Sequence, residues 1–317
     1  MATERLYALG EGREGERFVK TLKYLRDATE FEVSETKRAD TALRPFTEDS
    51  PMARLQRETA LLSQTMETAL TTRGTANMMD AGSAIHRQFS VWLFAFRACD
   101  DHTAHQLSQS FGVSSTAFRA FRALTALEYD RDFAYRLCCQ LRNADQHVGD
   151  VINWMRLDVQ SGDDEGDRQA TLVTQLDPAG LASEFPRMKP AVRAELFACT
   201  GNLELILLVR SAALSWDRIA CGLLLAVWDD IAPLVDLCTS LHAEALNAGG
   251  LWAVFIDAAP EDVPDGNWQI RHNPYQRAEL VTRNRATCEE AQRREVSGFP
   301  PSVFTLDEGD DPPELPI

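Results

Sequence analysis

Arg142, Asn143 and His147 lie within the heptapeptide Leu141-Arg-Asn-Ala-Asp-Gln-His147. They bring a guanidinium, a carboxamide and an imidazole close together in sequence, and that set suits work on a phosphodiester. A guanidinium pairs bidentately with phosphate oxygens, and a neutral imidazole near its own pKa can carry protons. The spacing of an arginine, four residues and a histidine occurs twice, since Arg97 and His102 share it. Context separates the two: Arg142 is followed by Asn143 at the end of an apolar-faced helical stretch, whereas Arg97 is followed by Ala98 and leads to two acids. A competing reading stays open, because an arginine and a histidine late in a helix also complement its negative C-terminal end.

The elements that must position these groups read as helices. Ser50 and Pro51 form an N-cap and first-turn pair. From there Met52, Leu55, Thr59, Leu62 and Met66 recur at three and four, predicting a helix to Thr72, broken by Gly74. A second helix is predicted from Asn77 to His105, with Ile85, Phe89, Trp92 and Phe96 on one stripe. Ser114 or Ser115 caps the next, and Phe133, Leu137, Leu141 and Ala144 define the helix that carries the motif. The helical pattern is read to about residue 156, with Gly149 ending the motif helix. On an unbroken helix, positions 143 and 147 share a face, while 142 and 147 stand roughly 140° apart at ~100° per residue.

The seven-residue motif after an aromatic-bearing helix resembles that of the HEPN domains, whose signature is an arginine, four to six residues, then a histidine, commonly with an asparagine after the arginine. The resemblance spans the helix near 52 to Met155. It implies a HEPN-like antiparallel helical bundle that dimerises. It also implies a metal-independent endoribonuclease of phage-defence or toxin–antitoxin biology, with Arg142 and His147 catalytic and Asn143 supporting. Members without activity act as interaction modules for a partner protein or nucleic acid, and that alternative stays beside the first. Metal-free RNA cleavage needs a base for the 2′-hydroxyl, an acid for the leaving oxygen and cations for the phosphorane charge, and leaves 2′,3′-cyclic phosphate and 5′-hydroxyl ends. One motif per chain is short of groups for all these roles. Two copies about a two-fold axis supply them, so a homodimer acting on RNA is expected, with an antitoxin or defence-system protein as a further partner.

Elsewhere the chemistry is sparse. Net charge is −16, and only four of the 32 cations are lysine, so long-range steering of nucleic acid is not expected. Seven cysteines show no C-x-x-C pair, and His102 and His105, at i, i+3 beside Asp100 and Asp101, lack a H-E-x-x-H arrangement, so neither metal nor cofactor is predicted. Phosphate-binding glycine loops and a serine-hydrolase elbow are lacking. Arg271, Arg277, Arg283, Arg285, Arg293 and Arg294 form a cation-rich stretch that acids interrupt, read chiefly as a solvated, ion-paired face. No run of about eighteen apolar residues predicts a membrane span, the N-terminus lacks secretory character, and the expected compartment is the cytosol.

The whole chain reads as mainly α, with additional C-terminal helices and minor strands near the termini. The expected organisation is an N-terminal extension over 1–50, a HEPN-like domain over 51–160, a helical region over 161–300 and an acidic, Pro-rich disordered tail over 301–317. Within these, Phe31-Glu-Val-Ser34 hints at a strand by alternation, Leu251–Ile256 is a candidate strand, and 161–166 reads as an acidic loop.

Overall fold

Thr29-x-x-Glu32 decides the first helix. In a computed structural model the Thr29 hydroxyl accepts from the Glu32 backbone N–H (3.1 Å), and the Glu32 carboxylate accepts from the Thr29 N–H (2.8 Å). This reciprocal cap satisfies two donors that a helix start leaves orphaned, and it overrides the two-residue alternation at Phe31–Ser34. That segment is therefore helix, not strand. The structure describes residues 4–14, 17–71, 75–148, 154–161, 168–257, 261 and 269–294. The expected tail over 301–317 and the stops at Gly74 and Gly149 lie outside them.

The chain is mainly helical. Its strands are β1 (Arg5–Glu14), β2 (Arg17–Asp27), β3 (Trp154–Ser161), β4 (Arg168–Leu176), β5 (Leu203–Glu204), β6 (Trp252–Ile256) and β7 (Ile270–His272). Its helices are α1 (Glu30–Ala42), α2 (Pro51–Thr71), α3 (Thr75–Phe111), α4 (Thr116–Arg131), α5 (Phe133–Val148), α6 (Pro178–Glu184), α7 (Pro190–Ala198), α8 (Leu205–Ala226), α9 (Trp228–Asn247) and α10 (Tyr275–Arg294). No described helix is long and apolar enough to cross a membrane. The described residues group into two compact units, the first within 1–47, 106–118 and 223–301, the second within 48–105 and 119–222.

The first unit holds an antiparallel sheet in the order β2-β1-β6-β7. Leu6 pairs with Phe255 and Ala8 with Ala253. These four side chains pack with Leu241 and Ala245 of α9 and with Val33 of α1. Tyr7, Leu9, Val254 and Ile256 form a second buried cluster. Because both alternating sets of side chains are buried, Leu6–Leu9 of β1 and Trp252–Ile256 of β6 read as continuous apolar runs rather than alternating ones. Arg26 of β2 clamps Glu32 (2.7 Å) and Glu244 (2.9 Å). The arginine beside it, first among several causes, lowers the Glu32 carboxyl to about 2. Gly249, at φ +85°, ends α9.

The second unit is built on aromatic packing. Ser50 caps α2 through the Ala53 N–H (3.0 Å), and Trp92 donates to Thr59 (2.8 Å), tying α3 to α2. Phe89, Trp92 and Phe96 continue into Tyr135, Trp216 and Phe121 with ring centroids 5.3–6.4 Å apart. A three-stranded sheet, β3-β4-β5, lies in this unit. It corrects two expectations: the chain is strand from Trp154, where the helical pattern is read on to about 156, and strands are not confined to the chain ends. The physical reason is a period of two in Met155-Arg-Leu-Asp-Val-Gln160, which suits a strand paired from Trp154↔Gln175 to Ser161↔Arg168.

Asp217 of α8 is buried in this unit, with Gln56 of α2 donating to it at 2.6 Å. Burial raises its carboxyl to about 7. The folded chain therefore keeps a proton that the unfolded chain releases near pH 4, and stability is lost as pH rises from about 4 to about 7. Asp217→Asn, which keeps the acceptor and cannot ionise, should raise unfolding free energy on the order of 3 kcal/mol at pH 8 and change it little at pH 4. Urea titrations at both pH values check this, and an equal effect at both would contradict it.

Candidate functional site

The site begins at the corner between α4 and α5. Asp132 caps α5, its carboxylate accepting from the Tyr135 N–H (2.9 Å). Arg136 turns back from the first turn of α5 to the carbonyls of Tyr129 (2.7 Å) and Asp130 (2.8 Å), closing the end of α4, and pairs with Glu195 of α7 (2.6 Å). Arg218 of α8 reaches both sides of the corner, meeting Glu128 at 2.6 Å and Asp132 at 3.3 Å, with Ser215 as a further acceptor (2.9 Å). The Glu128 side chain is 4% exposed, so the charge it carries depends on that guanidinium.

Beside the corner lies a cavity of ≈380 Å³. α3 contributes Phe96, Arg97 and Asp100; α4 contributes Arg122, Thr125, Ala126 and Tyr129; α5 contributes Tyr135, Cys139, Gln140 and Arg142; Lys189 and Trp216 complete the described lining. Four cations thus face one carboxylate. Asp100 meets Arg97 and Arg122, each at 2.9 Å, and Arg97 also meets Asp101 at 3.0 Å. These arginines are half-exposed, and such pairs contribute about 0–1 kcal/mol each. The Lys189 ammonium stands 4.4 Å from the centre of the Tyr129 ring, and its backbone N–H donates to Gln140 (3.3 Å). The Trp216 indole N–H and the Tyr129 hydroxyl are buried with no hydrogen-bond partner. An unmet buried donor costs about 1–3 kcal/mol. Cys139 is no nucleophile here, since burial raises its thiol to about 12. The arrangement can hold an oxyanion and offer it hydrogen bonds.

Arg142 is in this lining, half-buried. Asn143 and His147 are on the same helix, and their side chains lie outside the described residues. α5 runs without interruption to Val148, so positions 142 and 147 stand roughly 140° apart around its axis. The two arginines that sequence set against each other, Arg97 and Arg142, share one cavity, while His102 is exposed. Arg122, Lys189, Tyr129 and Trp216 carried no local signal, being brought here from two helices, α4 and α8, and the loop before α7. Four arginines of the 271–294 stretch are engaged elsewhere: Arg271 with Glu4, Arg277 with Asp40, Arg285 with Glu289 and Arg293 with Glu290. No cluster of metal-ligating side chains occurs among the described residues. Compared with protein-family models, curated proteins and solved structures, the chain matches none.

Removing Arg218 strands the buried Glu128 charge. Arg218→Met should lower unfolding free energy by about 3–5 kcal/mol, and adding Glu128→Met should recover much of it, as measured by urea denaturation. A loss below about 1 kcal/mol in the single variant would show that the corner does not rest on this pair.

Proposed function

We propose that the chain is a metal-independent endoribonuclease of HEPN type, in which Arg142 grips the scissile phosphate, His147 transfers the proton and Asn143 supports them. What carries the reading is the placement of Arg142 in a cavity with Arg97, Arg122 and Lys189. A guanidinium in such surroundings is suited to bind a phosphate and to stabilise the extra charge of the phosphorane. Cleavage by this route draws on a second Arg142 and His147 from a homodimer about a two-fold axis, and the setting is phage defence or a toxin–antitoxin system with a protein partner that restrains or triggers it. The second reading is a HEPN-like module that binds nucleic acid or a partner without cutting. The unbroken course of α5 favours it, because it separates positions 142 and 147 around the helix.

Incubating the full chain with mixed RNA in EDTA tests the proposal. Wild type should leave 2′,3′-cyclic phosphate and 5′-hydroxyl ends, and His147→Ala and Arg142→Ala should each lower the rate about 10²–10⁴-fold with thermal stability nearly unchanged. His102→Ala, an exposed residue of the other spaced pair, should cut as wild type does. Cutting that requires a divalent ion, or that survives His147→Ala, overturns the mechanism. RNA binding without cutting marks the second reading, and a monomer by sedimentation that still cuts removes the composite site.

A further inference from the structure

We infer that the exposed stripe of α3 centred on Phe94 is a self-association surface, covered by a second copy of this chain that lies antiparallel about a two-fold axis through that residue. On its inner side α3 buries Phe89, Trp92, Leu93 and Phe96. On its outer side Val91 is 42% and Phe94 53% exposed, so two large apolar groups one turn apart stand in water together. Arg87 and Asp101 flank Phe94 at equal distance, seven residues before it and seven after. At ~100° per residue, seven residues make two turns less about 20°, so Arg87, Phe94 and Asp101 form one line along the helix. Arg87 is exposed and meets no carboxylate among the described residues. Asp101 pairs with Arg97 of its own helix at 3.0 Å and keeps half of its side chain open. That line complements itself in one orientation. Reversed about Phe94, it lays Arg87 on the partner's Asp101 and Asp101 on the partner's Arg87, with the two Phe94 rings meeting at the axis. Val91 then meets the methylene stem of the partner's Arg97, since 91 and 97 stand three residues either side of 94. A parallel pairing would set arginine against arginine and aspartate against aspartate. Beside the stripe, Leu61 of α2 is exposed over a groove of ≈510 Å³ that it lines with Ala84 and Arg87, which gives the second helix room to seat. The apolar groups supply affinity, and the charges fix orientation.

The inference deepens the cleavage reading and rests on it for the purpose of the dimer, while the surface itself follows from α3. Phe94 precedes Arg97 by three residues, about 4.5 Å along the helix. The wall that Arg97 and Asp100 give the Arg142 cavity therefore begins one turn from the axis in each copy. Sedimentation of the full chain over about 1–100 μM is the test, because association follows mass action. Wild type should pass from monomer to dimer as concentration rises. Phe94→Asp, which sets two carboxylates on the axis, should weaken the dimer at least about a hundredfold. Arg87→Glu and Asp101→Lys should each weaken it about tenfold, and the double variant should return to within about threefold of wild type, since the reversed charges meet across the axis. All three side chains are exposed, so the variants fold, and thermal melting checks that they do. A dimer of this behaviour that cuts no RNA upholds the surface while the cleavage reading falls. RNA cleavage by a dimer that survives Phe94→Asp leaves the cleavage reading standing and removes the surface. A wild-type chain monomeric throughout, a dimer unchanged by Phe94→Asp, or charge variants that do not rescue one another overturns the inference.

Discussion

The Arg218 guanidinium is the constraint on which the second unit's site depends. It lies between a buried glutamate at the end of α4 and the aspartate that caps α5. A buried pair of this kind is poor evidence of net stability, since desolvation offsets much of the attraction. Its geometric consequence is firmer. Because Glu128 and Asp132 sit on either side of the turn, satisfying both with one planar fork fixes the angle at which α5 leaves α4. Tyr129 stands on one side of that angle and Tyr135, Cys139 and Arg142 on the other. The cavity walls are thereby set by an ionic contact outside the cavity itself.

The cavity also runs against the chain's overall charge. Arg97 leans on Asp100 and Asp101, Arg122 on Asp100, and Lys189 lies against an aromatic ring. Half-exposed ion pairs of this kind contribute about 0–1 kcal/mol each. On α10, Arg277 pairs with Asp40 of α1, Arg285 and Arg293 pair with acids on their own helix, and Arg285 lies over Trp228 at 4.1 Å. Counting arginines in sequence favours α10, yet these three are drawn into contacts away from the cavity.

Much of the helical architecture was legible because its signals are local. Ser50-Pro51 and the stripe through Phe89, Trp92 and Phe96 each act within a turn or two of themselves. Phe31–Ser34 was misread because four residues of alternation were weighed without the Thr29-x-x-Glu32 cap that precedes them. β3 was passed over although Met155, Leu157 and Val159 alternate cleanly with polar residues, because the helical pattern was read on to about 156. Arg142 stands out in sequence by its neighbours. Lys189, Tyr129 and Trp216 do not, since nothing near them in sequence says that helices distant along the chain bring them to one cavity. The same holds for Arg97: its local setting is acidic, and only the fold places it in one lining with Arg142.

The account stands or falls on whether an oxyanion occupies the space among these side chains. A crystal structure of the full chain with tungstate, read by anomalous scattering, answers that most directly. We expect a peak within hydrogen-bond distance of Arg142 and Lys189, with the Trp216 N–H or the Tyr129 hydroxyl donating to the same anion. Tungstate bound only on the protein surface, with the cavity filled by its own side chains, would contradict the account.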